Sequence, residues 1–585
     1  AQPPKMPTLT ATAYDGKVVL TWDNIADKST REPFLRGEND FEGYKLFRAT
    51  DKKFKDAQVV TDGYGTPSMY KPIYQCDLKN GKTGFTDFGL LNGMGYYLGD
   101  DTGITHYFVD ENVQNGVTYY YGIVAYDYGI TEEVAPPGIA PSENNLVVEL
   151  DEFEDIRNLG KNVAVVTPHT VPAEYEPHSL EIIANSIKST AGSVMPRIVA
   201  KNSLKENHVY TFKFYADTLQ DLRDDTTAIY YLPAGYTIYD VTDSNRIVAS
   251  ERPGKSILDN LVYDQVDFDQ VNPRKEWFMK IGSPLYTDAA DGIVLEVESN
   301  YISALHGGYD ALNSGWARGS APLTIIPTDD ALKYYPWDYE LIFTSDPEAF
   351  VGKASAGRAV RDTAGSVDEA LQLAQQPWSF FMINKTFATQ DGEYDTLDVI
   401  GVDENQNGVF DWTQDRLLFG STNKDRKRWS KTIFDIRFDD EPQPEDVYYV
   451  TYLRPHFVTD SLTFRVLPEA DINASAIDSA MQHIAVVPNP YVATNDMEPA
   501  VANYFLNQRR RIMFTHLPAR CNITIFTVSG VFVDEIEVNN ASDNGVAHWD
   551  LETSEGLEVA AGMYLYHVKA DVTGAEKIGK FAIIK

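Results

Sequence analysis

The chain has 585 residues, too long for a single hydrophobic core, so roughly three to five domains are expected. Its 86 acidic residues against 50 Lys plus Arg give a formal charge of −36, which repels phosphate backbones and excludes nucleic acid as a partner. Hydrophobic residues at 43% match a folded globular protein, and 12% aromatics, led by 35 Tyr, favour strands, where flat rings pack on a pleated surface.

Residues 1–147 open with period-two alternation in Leu9-Thr10-Ala11-Thr12-Ala13, Lys17-Val18-Val19-Leu20-Thr21-Trp22 and Tyr44-Lys45-Leu46-Phe47-Arg48. That period predicts half-buried strands, with Asp15-Gly16 as a hairpin turn. Tyr107-Phe108-Val109-Asp110 precedes an Asn115-Gly116 turn and the run Val117-Thr118-Tyr119-Tyr120-Tyr121-Gly122-Ile123-Val124-Ala125-Tyr126-Asp127. The succession resembles a fibronectin type III domain, on the early Trp22, the Tyr-rich strand and the Ala-x-Asp exit. It departs by an insertion at about 50–106, rich in Gly and Tyr, which reads as a decorated loop; a binding surface is the other reading.

Pro136-Pro137 and Pro141-Ser142-Glu143-Asn144 mark an exit linker. Asn162-Val163-Ala164-Val165-Val166 is expected to open a second strand-rich stretch, and residues 148–350 to form one or two β-sandwiches. Residues 351–378 read as a connector with a short helix. There Ser366-Val367-Asp368-Glu369 has the spacing of a capping box, and Pro377 is the stop. Strands resume in 379–467, 468–484 is a polar linker, and 485–585 is a final sandwich. The expected fold is all-β, a tandem array of fibronectin III/Ig-like sandwiches in an elongated multidomain chain.

The sharpest local motif is Asp403-Glu404-Asn405-Gln406-Asn407-Gly408-Val409-Phe410-Asp411. Oxygen side chains stand at positions one, three, five and nine, with Gly at six and the Val409 carbonyl at seven. A hard cation needs several oxygens converging from a tight turn. The run resembles the first nine positions of an EF-hand-type calcium loop. Gln414 replaces the bidentate Glu at twelve, and Asp415, one residue on, takes its place as in the loops of dockerins and thrombospondin repeats. The expected ligands are Asp403, Asn405, Asn407, Val409, Asp411 and Asp415, holding a structural Ca2+. The competing reading is a polar turn.

Catalytic motifs are absent: no G-x-S-x-G, no H-E-x-x-H, no P-loop. His306-Gly307-Gly308 reads as a turn, and most of the ten histidines as ordinary surface or partly buried groups. Carboxylate pairs such as Asp224/Asp225 and Asp267/Asp269 are inevitable among 86 acids. Trp316, Trp337, Trp378 and Tyr334-Tyr335 read as core ahead of sugar platforms. Only two cysteines occur, Cys76 and Cys521, far apart, which excludes a disulfide framework; they read as two buried thiols, with a single bridge as the other reading. No run has the length of a membrane-spanning helix.

The last hundred residues carry the most information. Val487-Pro488-Asn489-Pro490-Tyr491 is followed by Arg511-Ile512-Met513-Phe514-Thr515-His516-Leu517-Pro518 and Ile523-Thr524-Ile525-Phe526-Thr527-Val528-Ser529-Gly530. Trp549-Asp550-Leu551, Ala561-Gly562-Met563-Tyr564-Leu565-Tyr566-His567-Val568 and Gly579-Lys580-Phe581-Ala582-Ile583-Ile584-Lys585 complete it. Both faces of 563–568 are bulky, which predicts a central strand covered on both sides. The succession resembles the C-terminal sorting domain of type IX (Por) secretion substrates. Upstream, Pro442 … Asp446-Val447-Tyr448 … Arg454-Pro455-His456-Phe457 resembles large uncharacterised bacterial surface proteins that also carry that domain.

The resemblance implies an extracellular or outer-membrane-surface protein, handed to the secretion machinery through 485–585. Ala1-Gln2-Pro3-Pro4 has no basic or apolar leader, so a signal peptide is expected to have preceded it. The expected role is structural or adhesive and non-enzymatic, as a subunit of a filament or surface layer. Its expected partners are further copies, other surface proteins or surface glycans. The alternative is a secreted hydrolase or carbohydrate-binding protein with its site in 148–470.

Overall fold

A computed structural model describes residues 1–585 except 1, 36, 58, 62–66, 92–93, 132–137, 173, 222–227, 252–281, 283, 302–307, 329–336, 389–393, 424–426, 470–473, 500–508 and 585. The fold is all-β: tandem sandwiches built from antiparallel sheets, with a parallel strand pairing of Tyr491–Val492 on Glu576–Ile584. Among the described residues no helix is long and apolar enough to cross a membrane.

In the first unit, Leu9–Tyr14, Lys17–Trp22 and Tyr107–Asp110 form one sheet. Tyr14 pairs with Lys17 across the Asp15-Gly16 turn, where Gly16 takes φ +67°, the left-handed conformation that such a two-residue turn requires. The facing sheet runs Val163–Val166, Tyr119–Asp127, Phe41–Ala49, Tyr74–Asp77. The core between them holds Leu20, Trp22, Tyr44, Leu46, Tyr121 and Ile123.

Two expectations are corrected here. Val163–Val166 does not open the second unit; it pairs with 119–122 and closes the first. The 50–106 insertion is more than a decorated loop. Tyr74–Asp77 is an edge strand of the sheet, and its hairpin Gly84–Leu91/Met94–Gly99 lies over the sheet's outer side. The Lys45 ammonium sits 3.8 Å from the Tyr96 ring and 3.3 Å from Glu143, which gives the hairpin a cation anchor in an apolar setting.

The second unit packs a five-stranded sheet, from Ser179–Asn185 to Arg246–Glu251, on the three strands Gly192–Ile198, Ile293–Ser299 and Leu285–Tyr286. One member of the larger sheet is Ser461–Leu467, which pairs with both Ser179–Asn185 and Val209–Asp221. The third unit is therefore inserted into the second. Its two five-stranded sheets enclose an aromatic core that includes Trp378, Phe380, Phe419, Phe434 and Phe438. Tyr339–Phe343 pairs with Phe380–Ala388 and Val447–Val450, so this unit straddles the expected breaks at 350 and 379.

No helix forms over 366–376. Glu369–Leu371 is one 3-10 turn, capped at Ala370 by the Asp368 carboxylate at 3.1 Å and not by Ser366. Gln372–Leu373 then pairs with Val402 and Gly401, and the buried Gln372 amide donates to the Gly357 and Val367 carbonyls. Local capping loses to these longer-range partners.

The last unit packs Ala485–Val487, Ile512–Thr515 and Ala547–Trp549 against five strands ending in Glu576–Ile584. Gly562–Ala570 is the middle strand of the five, as expected, but only one of its faces is covered. Tyr564, Tyr566 and Val568 are core, while Met563 stands 44% exposed. Cys76 and Cys521 are buried, unbridged and in different units, and burial pushes both thiols up, to about 11 and about 12.

Candidate functional site

The six expected ligands all fall in the loop between strands Asp398–Val402 and Arg416–Asn423, which pair as neighbours. Asp403 and Asp415 are buried at its base. Asp403 Oδ1 accepts from Asn407 N at 3.2 Å and Oδ2 from Gly408 N at 2.7 Å. Asp415 Oδ1 accepts from Glu404 N at 2.9 Å and Oδ2 from Asp411 N at 2.8 Å. Gly408, at φ +82°, lets the chain turn back over Asp403, as position six of such a loop must. Asn405 and Asn407 each donate a side-chain N–H to Asp411 Oδ2 at 2.6 Å. Val409 is an exposed tip whose N–H donates to Asn407 Oδ1 at 2.8 Å.

Among the described residues no three His, Cys, Asp or Glu side chains converge as on one ion. The donor set is right for a hard cation, but Asn405 and Asn407 present amide hydrogens where a cation needs their oxygens. Rotating those two amides is the change that loading the loop demands.

The loop is anchored on both sides. Next to Asp415, the buried Arg416 donates to Glu404 at 2.7 Å, Asp435 at 2.6 Å and Asp362 at 2.5 Å. Burial opposes the Arg416 charge, but these carboxylates outweigh it and hold its pKa above the usual value. Phe410 and Trp412 plug the loop into the third unit's core, 5.3 Å from Trp378 and 5.2 Å from Phe438. Arg416 and the two rings were readable as residues but not as anchors, because their partners come from distant strands.

Of the other candidates, Trp337 and Trp378 are buried in that core, and Trp316 packs on Tyr448 at 5.2 Å, so all three are core aromatics. Gly308 starts a strand pairing with Leu453. His306, Gly307, Tyr334, Tyr335, Asp224, Asp225, Asp267 and Asp269 lie outside the described residues. An open hollow of about 660 Å³ lies in the first unit. Of its charged lining, Arg48 is tied to both Asp110 oxygens at 3.0 and 2.9 Å.

Two histidines are not ordinary surface groups. Buried His106 sits between Asp27 (Nε2, 3.0 Å) of the first unit and Asp288 (Nδ1, 2.6 Å) of the second. Burial disfavours its charge, yet the two carboxylates prevail and push its pKa up to about 9. Fully buried His456 stacks on Phe214 at 4.4 Å and meets the Glu298 carbonyl at 2.8 Å. Both are joints between sandwiches.

The chain matches no protein-family model and no curated protein. Among solved structures it is similar to PorZ, a bacterial surface component of the type-IX secretion system of Porphyromonas gingivalis. That match has 10% identity, covers 100% of this chain and 75% of that one, and has a TM-score of 0.17. It is similar to latent PorU of the same organism at 10% identity, covering 73% of this chain and 36% of that one, TM-score 0.13. It is similar to the FN1–FN3 domains of chicken CNTN1 at 8% identity over all of both chains, TM-score 0.11. At these scores the likenesses carry no argument about function.

Proposed function

We propose that this is a non-enzymatic protein of the cell exterior, sent across the outer membrane by a type IX-like system that reads residues 485–585. Its sandwiches then serve as structural or adhesive material, a subunit of a filament or surface layer, meeting further copies, other surface proteins or glycans. The observation that carries the reading is the ordered motif succession from Val487-Pro488-Asn489-Pro490-Tyr491 to the final Lys580-Phe581-Ala582-Ile583-Ile584, whose described strands lie in the two sheets of one sandwich. A reporter given a signal peptide and fused ahead of 485–585, expressed in a type IX-competent bacterium, is expected on the cell surface or in the medium. Retention in the periplasm, equal to that of the reporter without the segment, would sink the reading.

Loop 403–415 is proposed as a structural calcium site, with Asp403, Asn405, Asn407, the Val409 carbonyl, Asp411 and Asp415 as ligands. What supports it is the buried pair Asp403 and Asp415 beneath a loop already anchored by Arg416, Phe410 and Trp412. A bound cation would offset the mutual repulsion of the carboxylates and tie the loop to the core. Saturating calcium is expected to raise Tm by roughly 2–5 °C over EDTA, and Asp403→Ala or Asp411→Ala to abolish the rise. An unchanged wild-type Tm refutes the site.

A further inference from the structure

The strand Ile512–Thr515 belongs to two cores. Side chains along a strand alternate between its faces. Ile512 and Phe514 point into the last unit's own core, while Met513 joins the core of the first unit, beside Val117 and Tyr119. Met497 and Val546, also from the last unit, are buried there with it. The fit is close: a Cβ on Gly116 would come within 2.7 Å of the Met497 sulfur and 2.8 Å of the Met513 sulfur.

A polar seam runs beside this apolar plug. In the linker between Val166 and Ser179, the Thr170 carbonyl accepts from Gly545 N at 2.9 Å and Glu174 Oε1 accepts from Ala519 N at 2.9 Å. A Cβ on Gly545 would meet the Pro172 nitrogen and the Val171 carbonyl carbon at 2.9 Å, so the two backbones touch. Lys201 of the second unit is ion-paired with Asp543 of the last. First unit, linker and second unit are all engaged by one face of the last.

We infer that residues 485–585 are an integral part of the folded molecule, clasped onto the first unit through Met497, Met513 and Val546. The contact completes the first unit's core, so removing the last unit would strip cover from Val117 and Tyr119. A machinery that reads this face must read it before the clasp shuts. The inference goes beyond the export proposal and does not need it: a chain routed by another system would still close this way.

The test uses the full chain with a specific protease site inserted between Ala470 and Asp471. After cutting, the two fragments are expected to co-elute in size-exclusion chromatography at physiological salt and micromolar concentration. Met513→Asp places a charge in the apolar plug and should weaken the association at least ~10-fold, releasing the last unit. Gly545→Ala, which leaves Met513 in place, should weaken it through the backbone clash. Circular dichroism of the released fragment checks that it still folds. Wild-type fragments that separate on cutting, or variants that hold together as tightly as wild type, would overturn the clasp, and neither result bears on the reporter assay.

Discussion

Asp460→Ala is expected to destabilise the middle of the molecule by about 3–5 kcal/mol, because it leaves a buried guanidinium without its counter-charge. Arg454 and Asp460 are almost wholly buried, and two N–H groups of Arg454 meet the two Asp460 oxygens, each at 2.9 Å. Asp460 also accepts from Phe457 N at 2.9 Å, and Arg454 donates to the Pro455 carbonyl at 3.0 Å. The pair thereby shapes the turn that sets Phe457 against Trp337 (5.1 Å) and His456 against Phe214. This turn joins the third unit to the returning strand of the second. Urea unfolding followed by tryptophan fluorescence reads the loss. Arg454→Met with Asp460→Leu, which removes both charges, should recover most of it. A single-variant loss under ~1 kcal/mol would mean the pair is not desolvated as the structure has it.

The second large effect depends on pH. Glu42 is fully buried in strand Phe41–Ala49, with both oxygens accepting from the Asn80 amide at 3.2 and 3.0 Å. Burial is the main cause that raises its pKa to about 7, against the opposing Asn80 bond. Asp40 and Asp127 are raised to about 6, mainly by burial, Asp40 also by the charge of Asp127. A carboxyl that holds its proton more tightly folded than unfolded makes the fold most stable while protonated. Stability then falls as pH rises from the unfolded value toward the folded one. The first unit should therefore lose stability between about pH 4 and 7 from these three groups. Glu42→Gln mimics the protonated form. It is expected to gain on the order of 2 kcal/mol at pH 8 and nothing near pH 4.5. A gain of equal size at both values would remove ionisation as the cause.

Much of the fold was legible where local chemistry decides it. Asp15-Gly16 between two alternating runs gives its hairpin, and 563–568 falls in the middle strand of its sheet, as its bulk suggested. What stayed hidden depends on distant partners. Nothing in Ser461–Leu467 says that it pairs with Ser179–Asn185 and not with the strands just before it. The spacing of 366–369 suits a helix, but Gln372 finds carbonyls in another loop. Two-sided bulk marked 563–568 as doubly covered, whereas in the last unit Ile512–Thr515 is a strand covered on both faces, and it is shorter. In the candidate loop the spacing of the oxygen-bearing residues was plain from the sequence. Its anchors, Arg416 with Asp362 and Asp435, were not, since ion pairs across a sheet leave no spacing signature.

The inserted third unit has a mechanical consequence. Ser179 lies directly opposite Leu467, so the chain enters and leaves its two middle sandwiches at neighbouring points. Tension applied along the polypeptide would cross at that doorway and leave the greater mass hanging as a side arm off the line of force. Once the contacts between the first and last units have parted, yielding there peels one ladder rung at a time from Ser179/Leu467 inward, as a short antiparallel zipper, with the inserted aromatic core still unstressed behind it.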